Sequence, residues 1–331
     1  MKAIIINGKN SVVLQEVPQP EKAAAGHLLI KMSAMGINAG DRLDISGTMP
    51  KGFFPFSQYD IAGVSGVGQV TETGDGVPAG YKGKWVTVYR SLQFGDQLVG
   101  TWSEYGHLHF LQCVVLPDNV NPDAYAGSLV NIITPYAFWQ QVRQEGHQGV
   151  INTAGNSATG IAMIGMGQAL GFPVISLVRN ESGRQELEAL GAQNILVQED
   201  KDYKEKLQAS SAQLKTTAVF DGVGGAVLTQ IMDVLPAGSA IYTYGFLGGQ
   251  TPVTFPTSLL LKGISLRGFG NFRTATVQDP QKLAVALEEI GRIIHLPHFR
   301  TKIGQEFRLE QIVEALRYTS SNGGKAILKI V

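Results

Sequence analysis

Gly155 and Gly160 stand at the first and last positions of a G-x-G-x-x-G pattern, with Ser157 at the middle one, in the run Thr153-Ala154-Gly155-Asn156-Ser157-Ala158-Thr159-Gly160. Val150-Ile151-Asn152-Thr153 reads as a strand leading into it, and Ile161–Leu170 as a helix leading out. A turn of small residues between strand and helix brings backbone close to a pyrophosphate. The helix N-terminus then offers free N–H groups and a partial positive charge to that anion. Ser157 is small enough to permit the approach and adds a hydroxyl. Gly155, Asn156, Ser157, Thr159 and Gly160 are therefore expected to hold a dinucleotide cofactor. The competing reading is a glycine-rich turn that only packs a helix on a sheet.

The identity of that cofactor follows from the end of the next strand. A site for a 2′-hydroxyl ribose carries Asp or Glu there. This chain has Val178-Arg179-Asn180 instead. A guanidinium suits a 2′-phosphate, which it meets with paired hydrogen bonds. Arg179 is thus expected to select NADPH, with Arg184 as a second contact; the alternative is two solvated surface arginines. Two later strand ends, Asp221-Gly222-Val223 and Tyr244-Gly245, fall where open α/β sheets bind ligands. Gly222, Val223, Tyr244 and Gly245 are expected to line the other half of the cofactor.

These turns need a sheet beneath them. Strands at Val174–Val178, Ile195–Val197, Ala218–Phe220 and Ala240–Thr243 alternate with helices at Glu181–Leu190 and Ala226–Leu235, which implies a parallel sheet. The first third reads differently. Strands at Ala3–Ile6, Leu28–Ser33, Val64–Val70, Trp85–Val88 and Cys113–Leu116, broken by Gly/Pro turns, suggest a mostly β domain. Ala124–Val142 reads as one helix, Lys282–Ile294 as an amphipathic helix, Leu309–Tyr318 as another, and Ala326–Val331 as a closing strand.

With 331 residues, two domains are expected. Lys+Arg and Asp+Glu both count 27, so no electrostatic footprint for nucleic acid or an anionic membrane is present. No stretch reads as a signal peptide or a membrane span. The single cysteine, Cys113, agrees with a reducing, cytoplasmic setting.

The order of several modest motifs resembles the medium-chain dehydrogenase/reductase superfamily, in its zinc-free quinone-oxidoreductase and 2-enoyl thioester reductase branch. They are Gly36-Ile37-Asn38-Ala39-Gly40-Asp41, Gly66-Val67-Gly68-Gln69-Val70, Gly100-Thr101-Trp102-Ser103-Glu104-Tyr105, the Gly155–Gly160 loop, Leu190-Gly191-Ala192, Asp221–Gly225, Tyr242-Thr243-Tyr244-Gly245 and Leu266-Arg267-Gly268-Phe269. The resemblance implies a Rossmann doubly wound parallel sheet inserted in a GroES-like, mostly β domain. Residues 1–122 and 269–331 would form the GroES-like part and 123–268 the NADPH-binding part. It also implies a cleft active site and a homodimer. Asn38 would lie near the nicotinamide, Thr134 at the entry to the cofactor domain, and Phe269 on a loop over the cofactor. Turn capping for Asn38 and helix capping for Thr134 before Pro135 are the plainer readings.

The chain departs from the family in two places. Zinc-dependent members need a Gly-His-Glu motif where this chain has Tyr59-Asp60-Ile61-Ala62-Gly63, and one cysteine cannot make a four-cysteine site. No metal is expected; His107 and His109 share a strand face but lack a third ligand. Enoyl thioester reductases carry a tyrosine acid about where Met49 stands. Tyr59, Tyr105 and Tyr244 are substitutes, Tyr59 being placed with Asn38 and Thr134 in the catalytic set. Phe53, Phe54, Phe56 and Phe94 suggest an apolar pocket for the acceptor, or core. The expected activity is zinc-independent hydride transfer from NADPH to a small-molecule quinone or activated C=C. True enoyl thioester reduction is one alternative, and an NADPH-binding sensor or structural protein without catalysis is another.

Overall fold

The computed structural model describes residues 1–48, 56–92, 99–249, 251–320 and 323–330. The chain divides into two units. One comprises Met1–Val130, Pro280–His295 and Phe299–Val331, the other Asn131–Asp279 and Leu296–His298.

The first unit opens with the hairpin β1 (Lys2–Ile6) and β2 (Val12–Glu16), followed by β3 (His27–Gly36), α1 (Ala39–Ser46), β4 (Ser65–Thr73), β5 (Trp85–Tyr89), β6 (Tyr105–His109) and β7 (Cys113–Val115). The chain then passes to the second unit, where α2 (Leu129–Gln144) leads into β8 (Val150–Asn152), α3 (Ala158–Leu170), β9 (Val174–Val178), α4 (Glu181–Glu188) and β10 (Asn194–Val197). It continues with α5 (Tyr203–Leu214), β11 (Ala218–Asp221), α6 (Gly225–Ile231), β12 (Ala240–Thr243), α7 (Ser258–Leu261), β13 (Ser265–Gly268) and α8 (Ala275–Gln278). Back in the first unit come α9 (Pro280–Ile293), β14 (Ile303–Arg308), α10 (Ile312–Arg317) and β15 (Lys325–Lys329).

In the first unit a seven-stranded sheet runs β14-β15-β3-β4-β5-β7, with β6 on the other part of β3. β3 is the axis of this sheet, and of its ten residues only Lys31 is exposed. Such a strand, covered on both faces, needs a nearly continuous apolar run, and Leu28, Leu29, Ile30, Met32, Ala34 and Met35 provide it. Gly66 and Gly68 let β4 cross it closely: a Cβ at residue 68 would lie 2.4 Å from the Lys31 carbonyl oxygen. The pairing register shifts between Met32 and Ala34, and the bent strand serves three neighbours, β15, β4 and β6.

The second unit is a six-stranded sheet ordered β10-β9-β8-β11-β12-β13 with every pairing parallel. The order reverses between β8 and β11, and ligands bind beyond the carboxyl ends of strands at such a switch point. The buried Ile151, Ile175, Leu177, Val219 and Ile241 pack against Leu207, Leu228 and Ile231 of the helices.

The structure differs from expectation at several boundaries. The single helix over Ala124–Val142 is a 3₁₀ turn at Pro122–Tyr125 followed by α2. Thr134 is no helix cap, because α2 has already begun and carries Pro135 inside it. A proline there removes only the bond to Asn131, a residue of the helix's first turn. Residues 123–130 belong with the first unit, since Gly36 N–H donates to Ala126 O (3.0 Å) and Thr87 Oγ to Tyr125 O (2.9 Å). Residues 269–279 belong with the second, tied by Phe269 N–H to Thr243 O (2.8 Å) and Asn271 Nδ2 to Thr134 Oγ (2.8 Å).

Candidate functional site

In the second unit, the carboxyl ends of β8, β9, β11 and β12 gather most of the residues singled out from sequence. Gly155 N–H donates to Leu177 O (2.9 Å), which sets the first turn beside β9. Ser157 caps α3, its hydroxyl oxygen accepting the Gly160 N–H at 3.0 Å. The remaining first-turn N–H groups of α3 are the expected anion donors. Asn156 is exposed and lies beside Gly183 at the start of α4. Thr159 instead turns inward, donating to Asn131 Oδ1 at 2.9 Å. Its hydroxyl proton is therefore committed to α2.

The glycines make a cradle. A Cβ at residue 155 would sit 2.8 Å from Leu177 O, one at 160 would sit 2.0 Å from Ala154 O, and one at 222 would sit 2.5 Å from the Tyr244 hydroxyl. Gly245 lies against Gly222, a Cβ there reaching its carbonyl oxygen at 3.1 Å. The Tyr244 ring stacks on Phe220 at 4.0 Å, and its buried hydroxyl lies near the Ser157 side chain without a hydrogen bond of ordinary geometry among the described residues. Burial pushes that phenol well above the ordinary tyrosine range. An orphaned hydroxyl at a cradle that any side chain would fill fits a polar ligand crossing β8 and β11. Alanine at Gly160 would gain roughly 1 kcal/mol of intrinsic helix propensity. A 2.0 Å contact with backbone outweighs it. Gly160→Ala is expected to lose about 1–3 kcal/mol of stability in denaturant unfolding and to weaken NADPH uptake in a fluorescence titration.

The two arginines separate. Arg184 Nε lies 3.2 Å from Glu181 and its Nη2 3.4 Å from Asp200, so its guanidinium is already committed to two carboxylates. Arg179 is exposed at the tip of β9, and no described side chain pairs with it. Val223 is half-buried on the turn after β11. Asp221 ties this rim together. Its Oδ1 accepts from the Thr153 hydroxyl (2.7 Å) and from the Val223 (3.2 Å) and Gly224 (3.1 Å) N–H groups, and its Oδ2 from the Thr243 hydroxyl (3.0 Å). Phe269 does not extend over the cradle by its ring. It packs edge-on against Phe138 at 5.4 Å in an aromatic cluster with Phe220 and Tyr242.

Asn38 and Tyr59 belong to the first unit. The Asn38 side chain serves both its own helix and its surroundings: it forms a capping box with Asp41 at the start of α1, Nδ2 donates to Ser65 Oγ at 2.6 Å and to Gly36 O at 3.2 Å, and Oδ1 accepts from Lys325 Nζ at 2.6 Å. Asp41 closes the start of α1, accepting the Asn38 N–H at 2.7 Å and the Val64 N–H at 2.9 Å. Burial pushes the Asp41 carboxyl up to about 6, against the opposing pull of those bonds and Arg90. Burial also brings the Lys325 ammonium down to about 8, Asp41 partly offsetting it. Both shifts disfavour the charged forms. Folded stability contributed by Asp41 therefore falls as pH rises from 3.8 to about 6, and that of Lys325 falls as pH drops from 10.5 to about 8. Sequence reading missed Lys325, since a lysine opening a terminal strand looks like any solvated edge residue.

Tyr59 is 49% exposed and holds φ of 58°, with Asp60 following at 53°. The left-handed region costs a side chain roughly 1–2 kcal/mol, while glycine loosens the unfolded chain by roughly 0.5–1 kcal/mol. Tyr59→Gly is therefore expected to stabilise the fold by about 0.5–1 kcal/mol in urea unfolding. Its activity, compared with Tyr59→Phe, shows whether the strained position serves the ring or its hydroxyl. Tyr105 lies in β6, and Phe56 is 58% exposed. Met49, Phe53, Phe54 and Phe94 fall outside the described residues.

The two histidines are occupied by backbone. His107 Nε2 accepts from Ala24 N–H (3.0 Å) and His109 Nδ1 from Leu111 N–H (3.2 Å). Each such bond uses the lone pair a metal would need.

Comparison with known proteins agrees with this architecture. Residues 24–118 match the family described as "Alcohol dehydrogenase GroES-like domain", and residues 158–288 the family described as "Zinc-binding dehydrogenase". The chain is 26% identical to the mitochondrial enoyl-[acyl-carrier-protein] reductase of Yarrowia lipolytica, over 96% of this chain and 88% of that protein. A protein from Mesorhizobium loti assigned as an NADPH:quinone reductase superposes with a TM-score of 0.76 at 23% identity, covering 100% of this chain and 98% of that one. A mycobacterial protein solved in complex with NADPH gives a TM-score of 0.75 at 22% identity, with both chains fully covered. On this fold, these matched segments and these relatives, the chain belongs to the medium-chain dehydrogenase/reductase superfamily.

Proposed function

We propose that the chain is an NADPH-dependent oxidoreductase that passes hydride to a quinone or to a C=C bond activated by a carbonyl. The observation that carries this is the cradle of Gly155, Gly160 and Gly222, with a free guanidinium at Arg179 and an orphaned phenol at Tyr244. When bound, NADPH supplies the hydride; the protein contributes position and charge. The α3 N-terminus would take the pyrophosphate, Arg179 the 2′-phosphate, and Gly222, Val223, Tyr244 and Gly245 the far half. Zinc plays no part in this reading, because His107 Nε2 and His109 Nδ1 each accept a backbone N–H and Tyr59-Asp60 stands where the family's zinc-dependent members carry ligands. The test follows NADPH oxidation at 340 nm with a panel of quinones, enones and crotonyl thioesters. Cofactor binding without turnover of any of them would leave the non-catalytic reading in its place.

Enoyl thioester reduction is the second reading, favoured by the name of the Yarrowia lipolytica relative. It predicts that crotonyl thioesters outcompete free enones in kcat/KM. We further infer a homodimer through β13, the edge strand of the cofactor sheet. Leu266 on that edge is 45% exposed, and Leu260 and Leu261 beside it are 56% and 92% exposed. An open strand edge with apolar side chains invites pairing. No helix among the described residues is long and apolar enough to cross a membrane. A cytoplasmic location remains our reading from the single, buried Cys113.

A further inference from the structure

The turn after β12 carries two large apolar side chains in the open. Phe246 is 55% exposed and Leu247 is 65% exposed, directly after Tyr244 and Gly245. Their backbone is fixed. Tyr244 N–H donates to Asp221 O (2.8 Å), Leu247 N–H to Gly222 O (3.0 Å) and Gly248 N–H to Val223 O (3.0 Å), which laces the stretch to the turn after β11. Gly249 N–H then closes back onto Phe246 O at 2.9 Å. Glycine at 248 permits the close approach, since a Cβ there would lie 2.9 Å from Val223 O. The N–H groups of residues 244, 247, 248 and 249 are thus spent on backbone, and what the tip presents outward is hydrocarbon. One apolar side chain on a surface is ordinary. Two neighbours on a rigid tip, beside a cradle shaped for a ligand, are what a binding surface offers.

Their place along the sheet says what they meet. The strands run β10-β9-β8-β11-β12, and Arg179 follows the last residue of β9. A dinucleotide with its 2′-phosphate at Arg179 crosses β8 and β11 and brings its nicotinamide to β12, three strand spacings or about 14 Å away. Along that path the exposed side chains change from Asn156, Arg179 and Asn180 to Phe246 and Leu247. All five belong to the second unit. We propose that Phe246 and Leu247 form an apolar shelf at the nicotinamide end, on which the hydrocarbon part of the acceptor lies. The chain then prefers enones and quinones that carry an alkyl or aryl substituent over small polar ones. This rests on the reductase reading, to which it adds the class of the acceptor.

The test is a chain-length series. Burying one methylene fully is worth about fourfold, and a shelf covers one side of a chain, so about twofold per methylene is expected in kcat/KM. Going from 3-penten-2-one to 3-nonen-2-one lengthens the β-alkyl group by four methylenes. The wild-type kcat/KM, followed by NADPH oxidation, should rise about 15-fold across that pair. In the double variant Phe246→Ser with Leu247→Ser the ratio should fall below about threefold. Taking the ratio of two acceptors within one protein cancels any change in cofactor binding or in the fraction folded. A wild-type ratio below about threefold overturns the proposal without any variant, and leaves the reductase reading standing. A double variant that keeps the wild-type ratio overturns it as well. A raised NADPH dissociation constant would then give the two side chains to the cofactor, and a lowered sedimentation coefficient would give them to a second copy of the chain. NADPH binding with no turnover of any acceptor removes the reductase reading, and the shelf with it.

Discussion

Arg179→Asp is expected to raise the dissociation constant for NADPH by about 100-fold and to change that for NADH by less than about threefold. The magnitude follows from the group at stake. Charge-assisted hydrogen bonds are worth roughly 1.5–3 kcal/mol, and each 1.4 kcal/mol is about tenfold in affinity. The aspartate adds repulsion against a 2′-phosphate, while a free 2′-hydroxyl finds in it the acceptor that NAD sites use. Because residue 179 is exposed, the loss should shrink as salt is raised. Arg184 provides the internal control. Its guanidinium is held by Glu181 at 3.2 Å and Asp200 at 3.4 Å, so Arg184→Ala should weaken NADPH by less than about fivefold. Isothermal titration with both cofactors decides the matter. Equal losses for NADPH and NADH in Arg179→Asp would remove the phosphate from this strand tip.

What could be read from sequence divides along a physical line. The strands Val174–Val178 and Ala240–Thr243 are short apolar runs between turn residues, and the structure has them over those same residues. Each is buried on both faces, so hydrophobicity alone marks it. β14, by contrast, is exposed at all positions but one, and nothing apolar announces it. Its partner β15 supplies the hydrogen bonds that define it. Thr134-Pro135 looks like a helix start, yet α2 begins at Leu129, because a proline near the first turn sacrifices little. The Gly155–Gly160 loop was legible because its chemistry is local: a strand, a tight turn and a helix supply every donor. The Asn38–Lys325 pair was not. Its members stand at opposite ends of the chain, and only the antiparallel pairing of β15 with β3 brings them together.

The rim of the cofactor sheet depends on one carboxylate, and removing it should cost more than any other single change in the second unit. Asp221 is fully buried and accepts hydrogen bonds from Thr153, Thr243 and two successive backbone N–H groups. It thereby fixes the turn after β11 against β8 and β12 at once. Its charge is met by four donors and no cation in those bonds, a pattern that stabilises a buried carboxylate. Asp221→Ala leaves the two N–H groups and two hydroxyl groups to share a cavity. Buried unsatisfied groups cost roughly 1–3 kcal/mol each, and the hydroxyls can turn to one another, so a net loss of about 3–5 kcal/mol is expected. Asp221→Asn keeps an oxygen for the N–H groups, and its amide can donate to a rotated threonine hydroxyl. Its loss should be about 1–2 kcal/mol. Both variants should bind NADPH more weakly in proportion, since Gly222 and Val223 are set by the same turn. Denaturant unfolding that finds alanine and asparagine equally benign would show that the rim is held by the strands themselves rather than by this side chain.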